Sequence, residues 1–311
     1  MKHPILGLHH VTATVSEAKP DLDFFGGTLG LRLVKKTVNF DNHSVYHFYY
    51  GDERGTPGTI WTTFPYGGWG VPVGVKGEGQ ITLTSFSVPA GSLDSWKGRL
   101  GERGVVVEET RHTTGEQAIS FDDPSGLRIE LVAGDRDHRA PWSGSGIDTG
   151  MAIRGLHSVT MMVADPRPTL ALMTGILGYV VTDEAEGVAW LAVNGDEPGK
   201  RVRVLHGTRA DPARNGLGTV HHVAMAMAEP DEQLRLRQEL LDMGLGVTEV
   251  RDRQYFQSIY FREPGGVLFE VATTRPGFTV DEPLAELGRK LKLPPWEEPH
   301  RREIESALPR V

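Results

Sequence analysis

The chain has 311 residues, which is enough for about two domains of ordinary size. It carries 33 basic and 41 acidic side chains, a formal net charge of −8, and this balance argues against binding to a nucleic-acid backbone. No stretch approaches the roughly 18 continuous apolar residues that span a membrane, so we expect neither nucleic acid nor a membrane as a partner. The absence of cysteine excludes disulfides, thiolate metal sites and a cysteine nucleophile. With no apolar signal region at the N-terminus, the sequence predicts a cytoplasmic protein.

The two halves of the sequence are repeats of each other. Residues 119–130 (ISFDDPSGLRIE) align without a gap with residues 259–270 (IYFREPGGVLFE). GLHHVT at residues 7–12 aligns in the same way with GLHSVT at residues 155–160. The chain is therefore a tandem duplication, joined by a segment rich in serine and glycine near residue 145.

Each half divides again into two similar segments, which begin near residues 7, 79, 153 and 218. Every segment opens with alternating apolar residues, the pattern of a half-buried strand. A helical pattern follows that runs into a glycine, at residues 21–29, 93–100, 168–177 and 231–243. Turns of the Pro-Gly or Pro-Ser-Gly type then introduce closing strands. These patterns predict an α+β protein of four βαβββ modules.

We predict domain limits that follow the repeat, with one pair of modules at residues 1–145 and the second pair at residues 150–275. A C-terminal helical tail at residues 276–311 has no repeat partner, and its sequence predicts helices at residues 284–291 and 300–308. We expect this tail to pack over a barrel or over a neighbouring subunit, which hints at a homodimer.

Two histidine pairs and one glutamate stand at matching places in the repeats. His9 and His10 open module one, His221 and His222 open module four, and Glu270 lies in the last strand of module four. Adjacent residues on a strand face opposite sides, so one histidine of each pair can point into a cavity. Two imidazoles and one carboxylate leave three open positions on an octahedral ion, as in non-haem Fe(II) oxygenases. The same donors suit Mn, Ni or Zn, so they do not choose the metal.

The internal alignment predicts that only one metal site survives. Module three carries Ser158 where module one carries His10, and module two carries Leu83 where module four carries His222. If modules one and four form one barrel and modules two and three form the other, only the first can hold a metal. Glu130 is then a former ligand that is kept as a polar strand residue. His43, His47, His112 and His206 have no carboxylate at an interpretable spacing, and we assign them no role.

Several longer motifs carry a resemblance over nearly the full chain: LHHVT at residues 8–12, GTPGTIWTTFPY at 55–66, HH at 221–222, YFQSIYFREPGGVLFE at 255–270 and PGFTVDE at 276–282. With them the sequence resembles the vicinal-oxygen-chelate superfamily of extradiol dioxygenases, glyoxalases and bleomycin-resistance proteins. It is most similar to the ring-cleaving dioxygenases that open hydroquinones. The resemblance implies two barrel-like domains of the glyoxalase fold and Fe(II) bound by His10, His222 and Glu270.

The resemblance also implies catalytic roles beside the metal for four residues, namely His9, His221, Arg253 and Tyr260. A hydroquinone must lose a proton during cleavage, which a histidine or a tyrosine hydroxyl can transfer, and an arginine can stabilise an anionic oxygen. Structural roles stay open at this point: Arg253 can pair with Asp252 at the surface, Tyr260 can serve packing, and the two histidines can bond the backbone.

The resemblance makes a ring-cleaving, extradiol-type dioxygenase the expected function, acting on a hydroquinone-like or catechol-like aromatic with non-haem Fe(II) and O2. One alternative is a glyoxalase-like metal-dependent lyase, which usually requires a further carboxylate or glutamine ligand. The closing strand of module one, residues 60–64, offers neither. Another alternative is a protein that binds quinones or aromatic compounds without turnover, but pure binders often lose the metal ligands that are intact here.

Overall fold

The computed structural model describes residues 4–112, 115–207 and 211–311. Module one contains β1 (Ile5–Val15), β2 (Arg32–Asn39), β3 (Asn42–Gly51) and β4 (Ile60–Pro65). Module two contains β5 (Gln80–Pro89), β6 (Glu108–Arg111), β7 (Gln117–Asp122) and β8 (Arg128–Gly134). Module three contains β9 (Gly155–Val163), β10 (Val180–Ala185), β11 (Val188–Ala192) and β12 (Arg201–His206). Module four contains β13 (Thr219–Met227), β14 (Arg251–Asp252), β15 (Gln257–Arg262) and β16 (Leu268–Thr273).

One helix follows the first strand of every module. These are α1 (Ala18–Leu22), α2 (Leu93–Gly101), α3 (Pro166–Gly175) and α4 (Pro230–Asp242). The helix predicted at residues 21–29 begins earlier than expected, and α1 continues as a π-helical segment at Asp23–Thr28. The predicted α+β class and the four βαβββ modules are confirmed. Among the helices of the described residues, none is long and apolar enough to cross a membrane.

The modules combine into two curled eight-stranded sheets. The first sheet has the order β14-β15-β16-β13-β1-β4-β3-β2, and the second has the order β10-β11-β12-β9-β5-β8-β7-β6. Modules one and four therefore share one sheet, and modules two and three share the other, as the distribution of ligands suggested. The limits predicted at residues 1–145 and 150–275 describe the repeat in the sequence, and as domain limits they stay a prediction. The two sheets share a hydrophobic core, in which Trp61 of β4 contacts Phe86 of β5.

Three register shifts interrupt the antiparallel pairing of β1 with β13 at the centre of the first sheet, and two of them are bulges at the histidine pairs. His9 is the extra residue of the bulge in β1, and His221 is the extra residue of the bulge in β13. The pairing of β5 with β9 in the second sheet is interrupted at the same places, at Thr82 and His157. Because a bulge changes the direction of side chains along its strand, strict alternation does not hold at either histidine pair.

The C-terminal tail differs from its prediction in one element. Residues 284–291 do not form an α-helix, because only a 3-10 turn is present at Leu284–Glu286. Gly288 then adopts a positive φ of 76° with its Cα against the backbone of Leu33. The chain passes through a turn and two bends before Leu291 forms a bridge with Lys36 of β2. The last helix, α5, spans Arg301–Ala307. The tail thus packs over the first barrel of its own chain.

A buried lysine ties this tail to the first sheet. Lys35 of β2 is completely buried, and its ammonium group lies 2.6 Å from a carboxylate oxygen of Asp281 and also binds Glu282. The ammonium also lies 4.9 Å from the centre of the Tyr255 ring. Two carboxylates and an aromatic face therefore compensate the cost of removing this charge from water.

We expect Lys35→Met to lower the free energy of unfolding by about 3–5 kcal/mol, because it leaves the buried Glu282 and the partly buried Asp281 without their counter-charge. Urea unfolding followed by circular dichroism measures the change. Lys36→Met is the matched control, since Lys36 is the next residue on β2 and is partly exposed. An equal effect of the two substitutions would contradict the role assigned to the buried ion pair.

A buried carboxyl group joins α1 to the first sheet. Asp21 is 3% exposed, and its Oδ2 accepts hydrogen bonds from the hydroxyls of Tyr50 at 2.6 Å and Thr63 at 2.7 Å. Burial raises the pKa of Asp21 from 3.8 to about 7, although both hydroxyls oppose the shift. The folded protein therefore holds a proton on this group that the unfolded chain releases at lower pH.

Because the folded-state pKa of Asp21 is raised, the stability contributed by its neutral form is lost as the pH rises from 3.8 to about 7. Asparagine mimics the neutral acid and does not titrate. We expect Asp21→Asn to gain stability relative to the wild type across this pH interval and to show a constant difference above it. Urea unfolding at several pH values tests this. Asp23→Asn, at an exposed neighbouring carboxylate, should show no such trend.

Candidate metal centre and its cavity

Three side chains from the central strands of the first sheet converge on one point. His10 comes from β1, His222 from β13 and Glu270 from β16, and all three are buried. Nε2 of His10 lies 3.3 Å from Nε2 of His222. Oε2 of Glu270 lies 3.2 Å from the first nitrogen and 2.8 Å from the second. Of the residues that the structure describes, these form the one group of three or more with metal-binding geometry.

The separations among these atoms suit a common ion. Donors held about 2.1 Å from an octahedral ion at right angles lie about 3.0 Å from one another. Within the described ranges, no group gives Glu270 Oε2 a well-directed hydrogen bond, although this atom is buried. Burial alone would raise the pKa of Glu270, but His10 and His222 hold it well below its usual range. An ionised, buried carboxylate oxygen that faces two ring nitrogens is an appropriate ligand for a divalent cation.

The other histidine of each pair contacts the ring of its neighbour. Nδ1 of His9 lies 2.8 Å from Nδ1 of His10, and Nδ1 of His221 lies 2.7 Å from Nδ1 of His222. If Nε2 of a ligand histidine presents its lone pair to an ion, the ring proton lies on Nδ1 and is donated to this neighbour. Burial, and next the adjacent histidine, lower the pKa values of His9 and His221 to about 3. Both are therefore neutral at ordinary pH and can accept these hydrogen bonds.

Arg253 and Tyr260 form a hydrogen-bonded pair at the cavity wall. Nε of Arg253 donates to the hydroxyl oxygen of Tyr260 at 3.0 Å, and Nη2 lies 3.1 Å from a carboxylate oxygen of Asp41. The guanidinium group of Arg253 thus pairs with Asp41 rather than with Asp252, its neighbour in sequence. Burial raises the pKa of Tyr260 above its usual range, with a further contribution from Glu270. Tyr260 therefore keeps its proton, while Arg253 supplies a fixed positive charge.

A cavity of about 570 Å³ opens beside the three ligands. His10, His222, His221, Arg253 and Tyr260 line it, whereas His9 lies behind His10 with its ring 4.9 Å from that of Phe256. Other lining residues were not predicted from the sequence, and they include Asn39, Asp41, His47, Tyr49, Phe64, Tyr66, Asn215, Arg251 and Phe256. The alternation of side chains along β3 places His47 and Tyr49 on the same face, but the sequence does not show that this face meets the cavity.

The second barrel keeps a polar cluster at the matching place. Glu130 Oε2 lies 2.6 Å from Ser85 Oγ and 3.0 Å from His112 Nε2. Ser158 of β9 pairs with Ser85 of β5 at the position where His10 of β1 pairs with Ala224 of β13. Ser158 therefore occupies the place of His10, as the internal alignment required. The glutamate is therefore occupied by hydrogen bonds from neighbouring side chains. His112, to which no role was assigned, is one of these partners.

Module one carries a threonine where module four carries Glu270. Thr62 pairs with Thr12, two residues after His10, and Glu270 pairs with Ala224, two residues after His222. Thr62 and Glu270 therefore occupy equivalent positions in the two modules. The hydroxyl oxygen of Thr62 lies 2.9 Å from Nε2 of His47. The first barrel therefore lacks a fourth carboxylate or amide ligand at the position related to Glu270 by the repeat.

Comparison with known proteins identifies relatives over the whole chain. A model of the Glyoxalase/Bleomycin resistance protein/Dioxygenase superfamily matches residues 7–131 and again residues 155–271. The chain is 43% identical over 305 residues to "Putative ring-cleaving dioxygenase MhqE" of Bacillus subtilis (strain 168), a match that covers 98% of this chain and 99% of the relative. It is 37% identical over 297 residues to the chlorohydroquinone/hydroquinone 1,2-dioxygenase of Sphingobium indicum, covering 93% and 91% of the two chains.

Solved structures show the same fold. A crystal structure titled as a "putative dioxygenase" from Bacillus subtilis superposes with a TM-score of 0.94 at 39% identity and covers 99% of this chain and 98% of its own. Glyoxalase I from Zea mays superposes with a TM-score of 0.63 at 13% identity, covering 86% and 92% of the two chains. At that identity the second likeness concerns the fold alone, because one fold supports several chemistries.

We expect Glu270→Gln to weaken the binding of a divalent cation by at least about a hundredfold, since it removes the single anionic donor. Isothermal titration of chelator-treated protein with Zn²⁺ or Mn²⁺ measures the affinity and the number of ions bound. Glu130→Gln is the matched control, because Glu130 occupies the equivalent position in the second barrel. One ion per chain in the control and none in Glu270→Gln is the expected result. Equal binding by both variants would place the metal elsewhere.

Proposed function

The chain belongs to the Glyoxalase/Bleomycin resistance protein/Dioxygenase superfamily, and we propose that it is a ring-cleaving, extradiol-type dioxygenase. Its substrate is a hydroquinone-like or catechol-like aromatic, its oxidant is O2, and its cofactor is a non-haem Fe(II) ion. The relatives named above support this activity, because they match the chain over almost its full length. The choice of Fe(II) over Mn, Ni or Zn, the homodimer and the cytoplasmic location stay predictions.

The observation that carries the proposal is the convergence of two histidines and one glutamate beside an aromatic cavity. We assign His10, His222 and Glu270 as the residues that hold the ion. When bound there, Fe(II) supplies the redox chemistry that allows O2 to react with an aromatic ring. The adjacent volume of about 570 Å³ is large enough for a single substituted ring. Aromatic side chains such as Tyr49, Phe64 and Phe256 line it and suit such a ring.

Residues beside the ligands orient the ligands and handle protons. We assign His9 and His221 to fix the ligand rings of His10 and His222 through the Nδ1 contacts, so that each Nε2 lone pair points to the ion. His221 also lines the cavity and can exchange a proton with the substrate.

The pair of Arg253 and Tyr260 provides a charge and a proton donor on one wall of the cavity. Because Tyr260 accepts a hydrogen bond from Arg253, its own hydroxyl proton is available to an oxygen atom in the cavity. The guanidinium group stabilises negative charge that develops on that oxygen. These roles require no movement of the two side chains away from the wall that they already line.

The lyase alternative is disfavoured by the residue in the fourth ligand position. Thr62 occupies it, and its hydroxyl is engaged with His47 and Thr12. A neutral hydroxyl in such a network is a poor base compared with a carboxylate. The alternative of binding without turnover gains no support, because all three metal donors are present and within 3.3 Å of one another.

We expect protein reconstituted with Fe(II) under anaerobic conditions to consume one O2 per molecule of substrate cleaved, with loss of the aromatic absorbance. Methylhydroquinone, chlorohydroquinone and catechol are the substrates to offer, and an oxygen electrode with parallel absorbance spectra gives the stoichiometry. His222→Ala should abolish uptake because it removes one of three ligands.

The control is His157→Ala, which removes a buried histidine from the second barrel, away from the three ligands, and should retain uptake. An absence of uptake by the wild type despite tight binding of Fe(II) would reject the dioxygenase. Conversion of the hemithioacetal of a 2-oxoaldehyde by the same preparation would establish the lyase instead.

A further inference from the structure

His47 lies in the cavity wall but belongs to neither the metal ligands nor the residues assigned beside them. It comes from β3, is 9% exposed and lines the cavity. Its ring is held between two aromatic rings, with centroid distances of 4.0 Å to Tyr49 and 4.2 Å to Phe64. The imidazole is therefore fixed in one orientation by packing.

A ladder of hydrogen bonds across three adjacent strands holds one edge of this ring. Thr62 Oγ1 of β4 lies 2.8 Å from Thr12 Oγ1 of β1 and donates to it. The same oxygen lies 2.9 Å from Nε2 of His47 and accepts from its N–H. The proton of a neutral imidazole is then on Nε2, and Nδ1 keeps its lone pair. In the described parts of the chain, no residue forms a hydrogen bond with this Nδ1.

The charge state of His47 is compatible with an acceptor. Burial lowers the pKa of His47 well below its usual value, and the nearby His10 and His222 lower it further. A neutral imidazole offers no counter-charge to a carboxylate or a phosphate, whereas it accepts a hydrogen bond from a hydroxyl group well. The chemistry of this wall therefore favours an uncharged O–H donor as its ligand.

The sheet order places His47 opposite Tyr260. In the first sheet, β3 lies two strands beyond β1, and β15 lies two strands beyond β13 on the other side. Because the sheet curls, the side chains of β3 and β15 face each other across the cavity, and both His47 and Tyr260 line it. We therefore expect a ring held at the three donors to have Tyr260 of β15 on one side and His47 of β3 on the other.

We propose that Nδ1 of His47 accepts a hydrogen bond from a phenolic hydroxyl of the substrate that is not bound to the metal. His47 thereby selects hydroquinones. A catechol can bring both of its adjacent oxygens to one ion, whereas the second hydroxyl of a hydroquinone is at the far end of the ring and needs its own partner. Without an acceptor, that hydroxyl would be buried unpaired, which costs binding free energy. This inference rests on the proposed function for the class of substrate.

The test compares hydroquinone with 4-methylphenol, in which a methyl group replaces one hydroxyl. Anaerobic isothermal titration of the Fe(II)-loaded protein gives both affinities without turnover. We expect the wild type to prefer hydroquinone by about tenfold, the worth of one well-made hydrogen bond to a buried hydroxyl. His47→Phe keeps a planar ring and removes the acceptor, so the ratio should fall to about one. His47→Leu serves the same purpose if the phenylalanine variant does not fold.

Two further variants separate recognition from structural damage. His47→Gln retains a donor for Thr62 and an acceptor for the substrate, and it should retain most of the preference. His43→Gln changes a half-exposed histidine on the same strand and should leave the ratio unchanged. A ratio in folded His47→Phe within about twofold of the wild-type value would overturn the proposal, as would an equally complete loss in His47→Gln.

The two proposals fail in distinguishable ways. A lost preference in His47→Phe, together with no O2 uptake by the wild type, would sustain the role of His47 and reject the dioxygenase. Normal O2 uptake by the wild type, together with an unchanged ratio in His47→Phe, would support the dioxygenase and reject the role of His47.

Discussion

The pairing of β1 with β13 is the constraint on which the site depends. These strands come from the two ends of the repeated sequence, and their antiparallel ladder brings His10 and His222 within 3.3 Å although 212 residues separate them. The parallel ladder between β13 and β16 adds Glu270 to the same point. Because all three donors stand on central, buried strands, their positions are fixed by backbone hydrogen bonds and not by mobile loops.

The bulges in this pairing explain how two adjacent histidines can serve one centre. In a regular strand, neighbouring side chains point to opposite faces. At His9 and His221 the extra residue changes this direction, so that each ring meets the Nδ1 atom of the ligand histidine beside it. The second barrel has the same bulges, and His157 contacts Ser158 there as His9 contacts His10. The second barrel therefore retains the bulges, although other residues stand there in place of His10 and His222.

The cavity and its candidate metal centre combine charged side chains with neutral histidines. Burial keeps His9, His47 and His221 unprotonated, whereas Glu270 stays ionised beside His10 and His222. Glu270 can neutralise a bound cation, the neutral histidines offer uncharged polar contacts, and Arg253 adds a positive charge on the wall. This combination suits an aromatic ring with hydroxyl groups. The tail contributes indirectly, because Lys35 and Asp281 hold Tyr255, whose ring packs against Tyr49 of the cavity wall.

The sequence by itself determined the four modules and the class of fold, since internal repeats reveal the unit and the positions at which it departs from symmetry. The family resemblance of the sequence implied which three side chains would serve as metal donors. Only the tertiary structure decided that modules one and four share a sheet and that His9 and His221 turn toward the ligand rings. It also revealed that His47 faces the cavity and that residues 284–291 form a 3-10 turn and bends beside β2 instead of a helix. Local patterns record which face of a strand is buried, but long-range pairing, bulges and the curl of the sheet determine what that face meets.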